Sequence, residues 1–125
     1  MTTNPPIPEE IRLQKGARVL AVSYSENDVF SLTAEYLRVH SPSAEVKGHG
    51  PGQETLQVGK QNVAIRAIEP VGHYAIRLVF DDGHDSGIYT WSYLRELCVK
   101  RDANWRAYLD QLTAAGYPSR KDADE

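Results

Sequence analysis

Residues 63–80, VAIRAIEPVGHYAIRLVF, place an apolar side chain at every second position on either side of a Pro70-Val71-Gly72 break. Val63, Ile65 and Ala67 form the first series, and Tyr74, Ile76, Leu78 and Phe80 the second. Period two is the repeat of a strand with one buried face, and a glycine-containing break between two such runs predicts a hairpin. The device recurs near the N-terminus, where IRLQ, the turn-like Lys15-Gly16 and ARVLAVSYS read as a second hairpin. There Val19 and Ala21 take one face and Leu20 and Val22 the other, so the strand is expected in the middle of a sheet. Hairpins join antiparallel neighbours, and nothing indicates parallel βαβ winding.

Elsewhere the period changes. After a polar turn at Ser25 to Asp28, Leu32, Tyr36 and Val39 recur at helical spacing, which predicts a short helix within SLTAEYLRVH, ended by Ser41-Pro42. Residues 41–61, SPSAEVKGHGPGQETLQVGKQ, contain four glycines and two prolines and are expected to be loop, with one short strand near Thr55 to Val58. IYTW resumes strand character after FDDGHDSG. A helix is then expected from Ser92, its hydroxyl serving as N-cap. A last helix follows, capped by Asp102, with Trp105, Leu109 and Leu112 on one face and Gly116 as its stop. The expected class is α+β: an antiparallel β-sheet built from hairpins and packed against two to three short helices. A single domain over residues 9–117 is expected, between a proline-rich arm at 1–8 and a charged tail at 118–125.

Composition narrows the function classes. A net charge of −3 supplies no broad basic field for phosphates, so nucleic acid is not an expected partner. Cys98 is the single cysteine, which leaves no internal disulfide and no thiolate-rich metal site. It lies at apolar helical spacing from Leu94 and reads as packing rather than as a nucleophile. No apolar stretch approaches the ~20 residues of a membrane span, and a cytoplasmic setting is expected. KGHGPGQ lacks the order of a phosphate-cradling loop. Arg38, Arg77 and Arg95 read as a local anion-binding surface or as solvated faces, the latter being preferred.

FDDGHDSGIYTW, residues 80–91, is the densest chemical signal. A histidine among carboxylates suits a metal, a general base, or a plain turn, because Asp bonds its own backbone and Gly tolerates positive φ. Taken with AEYLRVHSPSAEVKGHG, VGHYAIRLVFDDGHDSGIYTW and YLREL, it resembles the gamma-butyrobetaine hydroxylase-like N-terminal domain family, a domain of unknown function. The likeness runs from about residue 8 to about residue 100. Its most specific parts are Leu37-Arg38, Ser41 to Val46, Gly72-His73-Tyr74-Ala75-Ile76 and DGHDSGIYTW.

The resemblance implies a metal history. In the dioxygenases that name the family, the domain precedes a separate catalytic domain, and in the animal enzymes it holds zinc through three cysteines and a histidine. Here the three cysteine positions fall on Ser41, Ser43 and Val46, and the histidine on His84. Serine is a weak zinc ligand and valine none, so the resemblance implies a lost site, with His84 instead tying its turn to the Ser41 to Val46 loop. No cofactor is expected; if zinc or iron is bound, the candidate ligands are His84, His40 and His49.

The iron-dependent oxygenase pattern is absent, since no histidine is followed two positions later by Asp or Glu. Domains of this family occur on dioxygenases, on P-loop ATPases similar to iron–sulfur-cluster carriers, and alone in bacteria. The resemblance therefore implies a noncatalytic binding or adaptor module with a protein partner. Its candidate face comprises Ser41, Ser43, Val46, Asp82, His84 and Asp85. The alternative is a metal-binding or iron–sulfur-assembly accessory using His84.

Overall fold

The computed structural model describes residues 5–48 and 52–118. Most of the expected tail, half of the expected arm, and His49 lie outside the described residues. The fold is α+β, as the hairpins require, but the strands divide into two antiparallel sheets of three rather than one. The first contains β1 (Glu10–Gln14), β2 (Val19–Ser25) and β3 (Asp28–Thr33), with β2 central. The second contains β4 (Ile65–Val71), β5 (Ala75–Phe80) and β6 (Gly87–Thr90), with β5 central. The sheets are joined where the Ile65 amide donates to the Ala17 carbonyl at 2.9 Å.

β3 was not expected. DVFSLT alternates exposed and covered positions, with Leu32 in the core, and Leu20 pairs with Leu32 across the ladder. This period-two pairing wins over the sparse helical spacing of Leu32 and Tyr36. Helix α1 therefore starts later, at Ala34–Val39, with the Thr33 hydroxyl accepting the Tyr36 amide at 3.1 Å. All six of its residues are buried, so its charged residues, Glu35 and Arg38, lie inside as well.

The glycine- and proline-rich segment also differs from expectation. It forms a one-turn helix α2 (Ala44–Lys47), capped by Ser43, while Thr55 to Val58 make no strand. The Thr55 amide, donating to the Val46 carbonyl at 2.8 Å, ties that stretch to α2. In the second hairpin Pro70 belongs to β4, opposite Ile76, and the chain reverses at Gly72 and His73. β4 is an edge strand, where a missing N–H costs no ladder bond.

Two helices complete the structure, α3 (Trp91–Val99) and α4 (Arg101–Ala114). Their N-termini depart from expectation. Thr90, not Ser92, caps α3, its hydroxyl accepting the Tyr93 amide at 3.2 Å. α4 has Lys100 at its N-cap and no side-chain cap. One residue separates the two helices, so Asp102 falls inside the first turn, where its charge suits the helix dipole instead. Gly116 stops α4 as expected: at φ +96° it donates to Thr113, and the Tyr117 amide reaches back to the Leu112 carbonyl. The cap reassignment is testable by urea denaturation. Thr90→Ala is expected to cost about 1 kcal/mol and Ser92→Ala less than about 0.5 kcal/mol; the reverse order would reject it.

The main core joins both sheets to α1 and α3 through Leu20, Val22, Leu37, Leu78, Phe80 and Leu97, with Tyr36 and Tyr89 fully inside. Both tyrosines satisfy their hydroxyls on backbone, Tyr36 on the Leu97 carbonyl at 2.7 Å and Tyr89 on the Leu37 carbonyl at 2.6 Å. These bonds fix α1 between α3 and β6. A smaller cluster, Val39, Tyr108 and Leu112, holds α4 against the end of α1.

Candidate functional site

The turn between β5 and β6 is built by its own letters. Asp82 Oδ1 accepts the His84 amide at 3.1 Å, the side-chain-to-backbone closure typical of Asp in turns. Gly83 takes φ +92°, and the Phe80 amide donates to the His84 carbonyl at 2.9 Å. The result points the His84 imidazole inward, beside Phe80, at 6.1 Å between ring centroids.

There His84 meets the segment that follows α1. Nε2 lies 2.8 Å from Ser41 Oγ and Nδ1 lies 2.8 Å from Glu45 Oε1. His84 is 5% exposed and Ser41 0%. The Ser43 amide donates to Ser41 Oγ at 3.2 Å, and Ser43 Oγ both caps α2 and bonds Ser86 Oγ at 2.7 Å. A carboxylate only accepts, so in the neutral ring Nδ1 carries the proton toward Glu45, and Nε2 accepts the Ser41 hydroxyl. Gly87 permits this approach. A Cβ there would stand 2.4 Å from Ser41 Oγ and 3.2 Å from Cε1 of Tyr89.

Asp82 organises the other side of the turn. It receives Arg38 Nε at 2.9 Å and Lys60 Nζ at 2.7 Å, while Arg38 also donates to Gln57 at 3.0 Å. Burial alone would raise its pKa, but the bonds from Lys60, the His84 amide and Arg38 outweigh it and hold the carboxyl at about 2. Arg38 is therefore a buried, paired cation rather than a solvated one. Arg77 pairs with Glu69 and, at 3.6 Å, with Asp85; Arg95 pairs with Asp28 at 3.0 Å. The three arginines form no common anion site.

Of the six candidate face residues, Ser41, Ser43, Val46 and His84 are buried, and Asp82 and Asp85 lie outward. Of the candidate metal residues, His49 lies outside the described residues, and His40 and His84 have separate partners. His40 is turned to its own helix, Nδ1 donating to the Tyr36 carbonyl at 2.9 Å, with its ring against Tyr36 and Tyr108. Burial lowers its pKa. Among the described residues no group of three or more His, Cys, Asp or Glu is placed to hold a metal. Cys98 is buried, and its desolvated thiol is pushed up to about 11, so it is a packing residue and a poor ligand or nucleophile.

The zinc that the resemblance implies does not fit these side chains. Val46 offers no donor, Ser43 Oγ is committed to Ser86 and to the Glu45 amide, and Ser41 Oγ is hydrogen-bonded to the ring. Ser41, His84 and Glu45 have the connectivity of a nucleophile, base and acid. Ser41, however, has no exposed surface through which a carbonyl carbon could approach.

Glu45, Lys60, Ser86 and Gly87 were not singled out from sequence, and Arg38, read there as a solvated face, is instead the buried partner of Asp82. Glu45 lies 39 positions from His84, and no local spacing marks such a pair. A groove of about 590 Å³ runs beside these bonds, lined in part by His40, Lys47, Gln57, Tyr93 and Tyr108. Lys47 Nζ stands over the Tyr93 ring at 4.7 Å, and the Tyr93 and Tyr108 hydroxyls are held by the His40 and Gln57 carbonyls. No helix among the described residues is long and apolar enough to cross a membrane.

Comparison with known proteins agrees with the residue pattern. The model of the family described as gamma-butyrobetaine hydroxylase-like, N-terminal, matches residues 11–95. Two solution structures are similar to the chain. One is 51% identical with a TM-score of 0.80, covering 98% of this chain and 94% of the other; the second is 44% identical at 0.75, covering 95% and 90%. A crystal structure from Acidithiobacillus ferrooxidans, of a protein with unknown function in the DUF971 family, is 41% identical at 0.60. It covers 76% of this chain and 97% of its own. No curated protein matches.

Proposed function

Because this chain belongs to the gamma-butyrobetaine hydroxylase-like N-terminal family, a family without an assigned activity, we propose that it is a noncatalytic module that docks a protein partner. The docking face comprises residues 41–48 and 81–87. The observation that carries this reading is the bracing of that face from beneath. His84 holds Ser41 and Glu45, Ser43 holds Ser86, and Asp82 holds Arg38 and Lys60. A surface fixed in advance loses little conformational entropy on binding, which favours recognition. Buried Ser41, Ser43, Val46 and His84 position the face, while Glu45, Lys47 and Asp85 present it to solvent. The proposed setting is the cytoplasm, and no cofactor is required.

The alternative, an accessory of metal or iron–sulfur assembly using His84, has less support. Clusters are held mainly by thiolates, and the one thiol here is buried. Photo-crosslinking from position 85 in extracts, with position 12 on β1 as control, tests the docking reading. One partner captured from position 85, lost on Glu45→Lys with the fold intact and absent from position 12, supports it. Equal capture from both positions, or capture that survives Glu45→Lys, rejects it.

A further inference from the structure

We infer that His84, Ser41 and Glu45 form a metal-independent lock, in which Glu45 takes the structural role that the family resemblance gives to zinc. The geometry of the ring carries the argument. Both imidazole nitrogens are engaged by protein groups at hydrogen-bond distance, 2.8 Å each, and the side chain is 2% exposed. A zinc ion on Nε2 would sit roughly 2.0–2.1 Å from it, in the direction that Ser41 Oγ now occupies. Among the described residues the carboxylate on the ring is Glu45, bonded to Nδ1. The two ring nitrogens diverge, so Glu45 cannot share an ion bound at Nε2.

Glu45 stands outside the ligand positions that the resemblance supplies, and its side chain is 69% exposed. It is a positioning residue: by accepting from Nδ1 it fixes the tautomer that lets Nε2 accept from Ser41. Ser41 in turn accepts the Ser43 amide, so the ring couples the β5–β6 turn to the entry of α2. Closure here uses three side chains and no ion. Gly87, lacking a Cβ, is the opening that Ser41 needs.

The test uses the whole chain, untagged and prepared without chelator. The lock predicts no stoichiometric metal by elemental analysis and a thermal midpoint unaffected by EDTA or by added zinc sulfate. It also predicts a single Nδ1–H tautomer of His84 by ring ¹⁵N NMR above neutral pH. Because His84→Ala removes a buried ring and the packing around it, the discriminating variants are at exposed Glu45. Glu45→Ala is expected to lower the midpoint by several degrees and to mix the tautomers, whereas Glu45→Gln, which retains an acceptor, keeps the Nδ1–H form. Stoichiometric zinc or iron whose removal lowers the midpoint would overturn the lock while leaving the docking face to be tested separately. A His84 tautomer unchanged in Glu45→Ala would overturn the role of Glu45.

Discussion

Gly87→Ala is expected to lower stability by about 3 kcal/mol and the thermal midpoint by roughly 10 °C, although it adds only one methyl group. The methyl carbon would stand 2.4 Å from Ser41 Oγ and 3.2 Å from the Tyr89 ring, and neither neighbour is free to yield. Ser41 is held by His84 and the Ser43 amide, and Tyr89 is anchored on the Leu37 carbonyl. A double-mutant cycle identifies the cause. Ser41→Ala removes the nearest atom, so Gly87→Ala combined with Ser41→Ala should cost less than the sum of the single changes. Gly83→Ala is the control for backbone strain. It has φ +92° and open space around the added carbon, so about 1 kcal/mol is expected from conformation alone. Additive costs at Gly87 and Ser41 would show that the close approach is not what requires glycine.

Asp82→Asn is expected to cost about 2–3 kcal/mol at neutral pH, measured by urea unfolding. The amide keeps the shape but removes the charge facing Arg38, whose side chain is 9% exposed and keeps its bond to Gln57. The direction with pH is fixed by the carboxyl, held at about 2 in the folded chain against an ordinary 3.8. A depressed folded-state pKa stabilises above the unfolded value, and that stability is lost as pH falls through the folded one. The difference between the parent and Asp82→Asn should therefore be full above roughly pH 5 and shrink toward pH 2. Asp85→Asn, whose carboxylate is largely solvated, should change stability by less than about 0.5 kcal/mol. A gap of constant size across that pH range would mean that Asp82 acts through shape and not through charge.

The comparison of sequence with structure separates local from distant causes. The second hairpin was legible because alternation and a glycine turn are both local signals, but Val63 and Tyr74 fall outside its strands, a register shift between Ile65 and Ala67 interrupts the alternation, and Pro70 joins β4, since an edge strand accepts proline where a central strand would not. β2 was legible as a central strand from apolar residues on both faces. β3 was missed because Leu32 and Tyr36 fit a helical spacing, and only pairing with β2 decides for the strand. α2 was missed because four residues among glycines and prolines are too few for periodicity to register. Ser92 and Asp102 are good caps in isolation. Each lost the role because its helix is capped two residues earlier, at Thr90 and at Lys100.

The same division holds at the candidate site. FDDGHDSGIYTW, as written, determined a tight turn with His84 in it, because Asp and Gly act on the backbone within two or three residues. The resemblance connected that turn to Ser41, Ser43 and Val46 and indicated that thiolate ligation is lost. Glu45, Arg38 and Lys60 were decided only by tertiary structure. Their partners lie 39, 44 and 22 positions away, and a hydrogen bond over such separations depends on how two sheets and α1 pack, not on any spacing along the chain. Sequence determined the two hairpins, the turn and the single thiol. The closed fold decided that the histidine faces a serine and a glutamate, because only burial makes those two bonds necessary.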